Sequence, residues 1–250
     1  IISGEIHMGV HSMKDMPSTP AKGLVFTKVW KREDPRDVLI LRTAKHLSEL
    51  REDAVIATGS KRRAFQLLKL RPDLQIINIR GNVDTRLRKM EEQQLDGIVL
   101  AAAGLKRLGM EDVITQYLAP EDMISAPAQG ALALEVREDQ KELQKMLDVF
   151  CDEETMNEVC AERNFLEQMG GSCHTPAGAR CQKTDQGYEL YAMFGNEDGS
   201  KQAYTKVCGT CPEILAQTAV KNIKKQLEGI VYLIGAGPGD PGLITVKGKE

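Results

Sequence analysis

Two short segments of the sequence carry side chains that could do chemistry. The first, His11–Pro17, places a carboxylate, Asp15, beside a cation, Lys14, and Pro17 prevents a helix from continuing. Read alone, this pattern predicts a turn with a charge pair. In a cleft, a carboxylate beside Lys14 stays ionised and can stabilise a developing cation. Electrostatic catalysis by Asp15 is therefore one hypothesis, and a solvated turn is the other.

The second segment, Gly170–Pro176, follows a predicted long helix and precedes a predicted strand. Its glycines allow a tight turn that exposes Cys173, and His174 could help form the thiolate, which is the nucleophilic form of cysteine. The alternative is a small buried thiol in the core, because buried structural cysteines are common.

The apolar runs and the cysteines of the sequence argue against a membrane protein and against a metal-binding protein. No apolar run approaches the roughly 20 residues that a membrane-spanning helix requires, so we expect a soluble, cytoplasmic protein without a membrane partner. Its six cysteines should then stay reduced. Cys208 and Cys211 have the spacing of a metal or redox pair, but no second pair and no histidine pair accompanies them, so we predict no metal site.

Charge is segregated along the chain although the net charge is only −3. Residues 58–107 contain eleven Lys or Arg and five acids, whereas residues 108–162 contain three basic and fourteen acidic residues. A solvated helix face is the simplest interpretation of such a basic block. Several of its arginines, however, follow predicted strands, where α/β sheets bind ligands, and arginine suits carboxylates. The block has one aromatic residue, Phe65, so nucleic acid is disfavoured and a small polycarboxylate is favoured.

The elements that must position these residues alternate between strand and helix. Strands are predicted at 37–41, 55–58, 75–79 and 96–101, with helices at 61–70 and 83–93 between them. This alternation is typical of βαβ units with a buried, mostly parallel sheet. Gly59 and Gly81 fall at strand-to-helix turns, where backbone amides can receive an anion.

The second half has a different pattern. A strand at 131–136 and a helix at 140–150 precede a long helix, which is predicted to end at Gly170 and Gly171. Three alternating runs that begin near Ala177, Tyr188 and Gln202 predict an antiparallel sheet, and Pro212 opens a closing helix that runs to about Glu228.

Taken together and in order, six motifs resemble those of the hydroxymethylbilane synthases, also called porphobilinogen deaminases. They are His11–Pro17, Arg32–Asp37, Thr58–Arg63, Arg80–Arg86, Ala103–Gly109 and Gly171–Cys173. The resemblance covers about residues 1–229. It implies an enzyme, a transferase, that condenses four porphobilinogen molecules head to tail with loss of ammonia and serves haem, sirohaem or cobalamin synthesis.

The resemblance also implies roles for single residues. Cys173 matches the cysteine that holds a dipyrromethane cofactor through a thioether, and Asp15, with Lys14 beside it, matches the catalytic carboxylate. Cofactor contacts are implied for Ser12, Lys14, Asp15, Thr58, Ser60, Arg62, Arg63, Arg80, Gly81 and Arg86. Substrate contacts are implied for Arg80, Arg86 and Arg107. Ser172 departs from the family, since many relatives have glycine there, and a positive φ at this position would strain the turn.

The family has three domains: two α/β domains like periplasmic binding proteins and a smaller α+β domain with a three-stranded antiparallel sheet. Mapped here, domain 1 is residues 1–32 and 128–150, domain 2 is residues 33–127, and domain 3 is residues 151–229. We expect a monomer. Residues 230–250 resemble the start of a uroporphyrinogen-III methyltransferase, so we expect a fusion protein whose fragment also lacks the first part of domain 1.

Two other classes of function remain open on the sequence. A non-catalytic, two-lobed binding module for a small polycarboxylate would use the same architecture, because a fold does not determine a function. That interpretation leaves Cys173 without a role. A nucleic-acid-binding protein would require steeply salt-dependent binding, and the acidic balance after Leu108 argues against it.

Overall fold

The computed structural model describes residues 1–17, 19–171 and 175–228. In chain order the elements are β1 (Met8–Ser12), β2 (Leu24–Phe26), β3 (Asp37–Leu41), β4 (Val55–Ala57), α1 (Lys61–Leu70), β5 (Gln75–Ile77), α2 (Val83–Glu92), β6 (Gly97–Ala101), α3 (Ala102–Arg107), β7 (Gln116–Tyr117), β8 (Leu132–Arg137), α4 (Lys141–Asp148), α5 (Glu153–Gln168), β9 (Ala177–Thr184), β10 (Gly187–Gly195), β11 (Gln202–Gly209) and α6 (Pro212–Glu228). The strands form three separate sheets. The predicted α/β class is confirmed, including the antiparallel C-terminal sheet.

The middle sheet has the strand order β5-β4-β6-β3-β7. Strand β4 is parallel to β5 and β6, as expected when α1 and α2 return the chain to the same edge. Strand β3 is antiparallel to both of its neighbours, β6 and β7. The prediction of a mostly parallel sheet is therefore wrong for half of the strand pairs, because β3 enters this sheet from another part of the molecule rather than through a crossover helix.

The helices begin and end close to the predicted positions because their caps are local. The Ser60 side chain accepts a hydrogen bond from the Arg63 amide at the start of α1, and Asn82 does the same for Thr85 in α2. At the end of α5, Gly170 has φ +66°, which favours glycine, and the Gly171 amide donates to Leu166 O. In the part of the chain that the structure describes, none of the helices combines the length and apolarity needed to span a bilayer.

The C-terminal unit packs α5 and α6 against one sheet in which β10 lies between β9 and β11. Phe165, Leu190 and Ile223 are fully buried in its core. The first sheet is smaller: β8 lies between β1 and β2 and is antiparallel to both. Residues Met13–Asp15 form a single 3₁₀ turn directly after β1.

Two crossing segments, 30–36 and 125–131, connect the first sheet to the middle sheet, and we call them the hinge. They lie side by side: the Glu33 amide donates to Gly130 O at 3.2 Å, and Gln129 Nε2 donates to Pro35 O at 2.7 Å. Gly130 has φ +87°, and a Cβ there would overlap the carbonyl oxygen of Glu33. The close approach of the two segments therefore requires glycine at this position.

A buried ion pair joins the hinge to α5. Arg32 donates from Nη1 to both carboxylate oxygens of Glu162, at 3.0 and 3.1 Å, and from Nη2 to Glu158 at 2.7 Å. The Glu162 carboxylate is completely buried and also accepts hydrogen bonds from the amides of Ala128 and Cys181. Both crossing segments and the C-terminal unit thus meet at one carboxylate.

We expect Gly130→Ala to destabilise the fold by about 2 kcal/mol or more, because alanine is strained at positive φ and its Cβ overlaps the neighbouring backbone. Thermal unfolding measures the effect. Gly104→Ala is the matched control, since Gly104 lies in α3 with open space around its Cα and alanine is the better helix former. Equal melting temperatures for the parent and Gly130→Ala would contradict the packing described for the hinge.

Candidate active site

A cavity of about 480 Å³ lies where the three sheets face one another. Its wall includes the turn after β1, the loops after β4 and β5, the hinge, α5 and the C-terminal unit. The charged residues of the lining are six cations and two carboxylates: Lys14, Lys61, Arg62, Arg63, Arg80, Arg86, Asp15 and Glu197. A volume of this size suits a small molecule, and the excess of cations suits an anionic one.

Asp15 is presented to the cavity by the 3₁₀ turn after β1. The Met13 side chain is buried beneath the turn, and the Met13 amide donates to Ala131 O at 3.0 Å. Asp15 itself is exposed and lines the cavity. The predicted turn is therefore present, and it places a carboxylate among the cations.

Lys14 points towards the hinge. Its Nζ donates to Gln129 Oε1 at 3.4 Å. Burial lowers the pKa of Lys14 to about 8, and the positive charge of Arg63 acts in the same direction, while Asp37 and Asp15 oppose it. Lys14 is thus an ammonium that loses its proton more readily than an ordinary lysine.

The floor of the cavity is a charge cluster around Asp37, the first residue of β3. Asp37 is fully buried and accepts from Arg62 Nη1 at 2.7 Å, from Arg63 Nη2 at 2.7 Å and from Gln129 Nε2 at 3.0 Å. Burial alone would disfavour the carboxylate, but the two guanidinium groups outweigh it and hold the pKa of Asp37 well below its usual range. Arg62 and Arg63 therefore form a rigid basic floor whose charge is only partly neutralised.

A second basic wall comes from the loop between β5 and α2. Gly81 has φ +132°, and a Cβ at this position would lie 2.6 Å from Thr85 Cγ2. Arg86 donates from Nε to Gly81 O at 2.8 Å, and burial together with the charge of Arg63 lowers its pKa. Arg80, which is exposed, lines the cavity beside it. Gly81 therefore shapes the loop that directs these two arginines.

The structure brings together seven of the predicted site residues in the cavity wall: Lys14, Asp15, Ser60, Arg62, Arg63, Arg80 and Arg86. Four others, Ser12, Thr58, Gly81 and Arg107, lie outside the lining. Ser12 is exposed at the end of β1, Thr58 is buried and accepts from the Ser60 amide, and Arg107 donates to Gly130 O at 2.6 Å in the hinge.

The predicted cofactor cysteine, Cys173, and the neighbouring Ser172 and His174 lie outside the described residues, as does the tail 230–250. Leu166, which precedes the cysteine by seven residues, and Thr175, which follows it by two, line the cavity. The roles assigned to all of the predicted site residues remain predictions.

Sequence reasoning missed three polar side chains of the cavity wall: Lys61, Gln129 and Glu197. Gln129 is almost completely buried and links Lys14 to Asp37, and Glu197, from the turn between β10 and β11, adds a carboxylate to the cavity wall. The Asp37 cluster had a signal in the sequence, because a charged residue at the start of an otherwise apolar strand needs a buried partner. For Glu197 the sequence carries no such signal, because the turn reaches the cavity only through tertiary packing.

Two models of one protein family match this chain. Residues 1–145 match the family model described as "Porphobilinogen deaminase, dipyromethane cofactor binding domain", and residues 156–228 match "Porphobilinogen deaminase, C-terminal domain". The chain belongs to the porphobilinogen deaminase family. The predictions of a transferase with hydroxymethylbilane synthase function and of a dipyrromethane cofactor are thereby confirmed.

Individual porphobilinogen deaminases are also similar over most of the chain. The enzyme named porphobilinogen deaminase from Lachnospira eligens is 52% identical, over 88% of this chain and 76% of its own length. The one from Clostridioides difficile is 46% identical, over 91% of this chain and 77% of its own length. The one from Geobacillus kaustophilus is 45% identical, over 90% of this chain and 74% of its own length.

Solved structures show a more distant similarity to periplasmic proteins. The periplasmic VFT2 domain of BvgS from Bordetella pertussis is 18% identical, with a TM-score of 0.36 over 59% of this chain and 61% of that chain. A nutrient binding protein from Burkholderia cenocepacia is 12% identical, with a TM-score of 0.41 over 59% and 72%.

Replacement of Asp37, the carboxylate in the floor of the cavity, should reduce the stability of the fold. We expect Asp37→Asn to reduce the free energy of unfolding by about 3–5 kcal/mol, because it leaves two buried guanidinium groups without their counterion. Denaturant unfolding measures the change. Asp73→Asn is the matched control, since Asp73 pairs with Arg71 at the surface and should matter little. A small effect at Asp37 similar to that at Asp73 would show that the cluster does not stabilise the floor.

The pKa of the Lys14 amine should be lower than that of an ordinary lysine. In the free protein its ammonium form should decrease as the pH rises through about 8, whereas an unperturbed lysine keeps its proton up to about pH 10.4. The rate at which an acylating reagent modifies Lys14, followed by peptide mass spectrometry against pH, gives the midpoint. Nα-acetyl-lysine, whose ε-amine is free, gives the reference midpoint in the same reaction. A midpoint for Lys14 equal to that of the reference would rule out the described burial.

Proposed function

We propose that this chain catalyses hydroxymethylbilane synthesis in the cavity between the three sheets, with Asp15 as its catalytic carboxylate. The reaction joins four porphobilinogen molecules head to tail and releases one ammonia at each condensation. The observation that carries the proposal is the position of Asp15 in the wall of a cavity that otherwise has six cations and one further carboxylate, Glu197.

The charges of the cavity fit the cofactor named by the family model. Each porphobilinogen unit brings one acetate and one propionate, so a dipyrromethane carries four carboxylates. Charged hydrogen bonds from arginine are among the strong ones that a protein offers to carboxylates. Arg80 and Arg86 are the best placed for this role, since neither has a carboxylate partner in the described structure, whereas Arg62 and Arg63 already share Asp37. Cys173 would hold the cofactor, which supplies the pyrrole to which each new unit is joined.

Asp15 would stabilise positive charge. When porphobilinogen loses ammonia, a cation develops on its pyrrole ring, and a carboxylate fixed in the cavity wall stabilises that charge through Coulomb attraction and by accepting a hydrogen bond from the pyrrole N–H. The 3₁₀ turn fixes Asp15 before the substrate arrives, so little reorganisation is needed. Lys14, which donates to Gln129, would add a positive charge for substrate carboxylates.

The same proposal covers the organisation of the chain. The three sheets would correspond to the three domains expected from the sequence, with the hinge at 30–36 and 125–131 between the first two. Movement at such a hinge would provide space as the product chain lengthens. A cytoplasmic, monomeric protein and a methyltransferase domain after residue 229 are further parts of the proposal.

The covalent cofactor is the sharpest test. We expect the protein expressed from its complete gene to show, under denaturing conditions, an intact mass increased by one dipyrromethane, and Cys173→Ser to lack this increase. Cys160→Ser is the matched control, because Cys160 lies on α5 outside the cavity lining and should keep the added mass. Both parent and control should consume porphobilinogen.

An unmodified parent that binds polycarboxylates but does not consume porphobilinogen would overturn the proposal and leave the non-catalytic binding module. A parent that consumes porphobilinogen while Cys173→Ser retains the added mass would preserve the activity but refute Cys173 as the anchor.

A further inference from the structure

One arginine of α5 reaches across to the turn that carries Asp15. Arg163 donates from Nη2 to Pro17 O at 2.6 Å and from Nη1 to Met13 O at 3.1 Å and Met16 O at 3.4 Å. These carbonyls lie on both sides of Asp15 in sequence. We call residues 13–17 the Asp15 turn. A single guanidinium therefore contacts the turn at three points.

The contacts of Arg163 differ from those that anchor the turn elsewhere. The Met13 amide bonds to Ala131 O, and Lys14 bonds to Gln129, so both of these contacts fasten the turn to the hinge. Only Arg163, among the described hydrogen bonds to this turn, comes from the C-terminal unit. The planar fork of arginine can serve several acceptors at once, and its charge strengthens each hydrogen bond.

The same stretch of α5 also forms part of the cavity wall. Leu166, one turn after Arg163, lines the cavity, and its carbonyl accepts from the Gly171 amide at 3.0 Å. A Cβ at Gly171 would lie 2.5 Å from Leu166 Cδ1, so the helix end packs closely against the Leu166 side chain. Gly171 precedes Cys173 by two residues. The last two turns of α5 thus contact the Asp15 turn and lead into the segment that carries the proposed cofactor anchor.

We propose that Arg163 is a positioning residue that sets the distance between the Asp15 carboxylate and the C-terminal unit. This inference rests on the proposed function, because the distance matters to the reaction only if Asp15 is catalytic. The physical reason is that a reacting group displaced by about 1 Å can lose on the order of 100-fold in rate. Three hydrogen bonds to the backbone of the turn restrict such a displacement directly.

The test compares two arginine replacements in the holoenzyme. Arg163→Met removes the donors but keeps a long apolar side chain, and we expect kcat for porphobilinogen to fall on the order of 10- to 100-fold. The KM should change little, because the cationic cavity wall is untouched, and the mass added by the cofactor should be retained. Arg88→Met is the matched control, since Arg88 is an exposed residue of α2 that pairs with Glu92, and its kcat should equal that of the parent.

Two further variants separate positioning from general stability. Arg163→Lys keeps the charge but replaces two separate nitrogens, Nη1 and Nη2, with one at the end of a shorter side chain, so it should keep only part of these contacts. Its kcat should therefore lie between those of the parent and Arg163→Met. Arg163→Ala should regain part of its kcat when millimolar guanidinium is added, whereas the parent and Arg88→Met should not respond. A purely structural role would not predict rescue of turnover by a small cation in a protein that is already folded.

The outcomes are distinct. A kcat for Arg163→Lys or Arg163→Met equal to that of the parent, or a loss in Arg163→Ala that guanidinium does not restore, would overturn the positioning role. If Arg163→Met fails to fold, the kcat of Arg163→Lys still tests the positioning role. A parent that carries no cofactor and does not consume porphobilinogen would instead refute the proposed function, before any arginine variant is compared.

Discussion

The cavity depends on one buried carboxylate. Asp37 is fully buried at the start of β3, where it pairs with Arg62 and Arg63 and accepts a hydrogen bond from Gln129. Two guanidinium groups at the base of a cavity would repel each other and resist burial without a counterion. Asp37 supplies that counterion from behind, so the cavity side remains basic. Through Gln129 the same carboxylate is connected to Lys14 and hence to the turn of Asp15.

A second buried carboxylate fixes the C-terminal unit against this arrangement. Glu162 binds Arg32 of one crossing segment, the Ala128 amide of the other and the Cys181 amide of β9. The next residue, Arg163, contacts the Asp15 turn. Consecutive residues of α5 therefore face the hinge and the proposed catalytic turn. Any movement of the C-terminal unit relative to the hinge must break or carry along these charged contacts, which are costly to leave unpaired when buried.

The unequal distribution of charge now has a structural explanation. The basic block of the sequence supplies the loops after β4 and β5, which form the floor and one wall of the cavity. Several acids of the following block serve as internal partners, among them Glu158 and Glu162 for Arg32. A chain with a small net negative charge can thus present a strongly cationic cavity, because its acids are placed at other surfaces or behind the cavity wall.

Local features were readable from the sequence because they depend on neighbouring residues. The bounds of α1, α2 and α6, the glycine cap of α5 and the three strands of the C-terminal sheet follow from caps, periodicity and turn residues. The ordered motifs also predicted the family, which the comparisons confirm. The antiparallel placement of β3, the Asp37 cluster, the Glu197 contribution and the reach of Arg163 to residues 13–17 were decided only by tertiary structure. Each of these joins residues far apart in the chain, and the energy of such a contact depends on distances that no local pattern encodes.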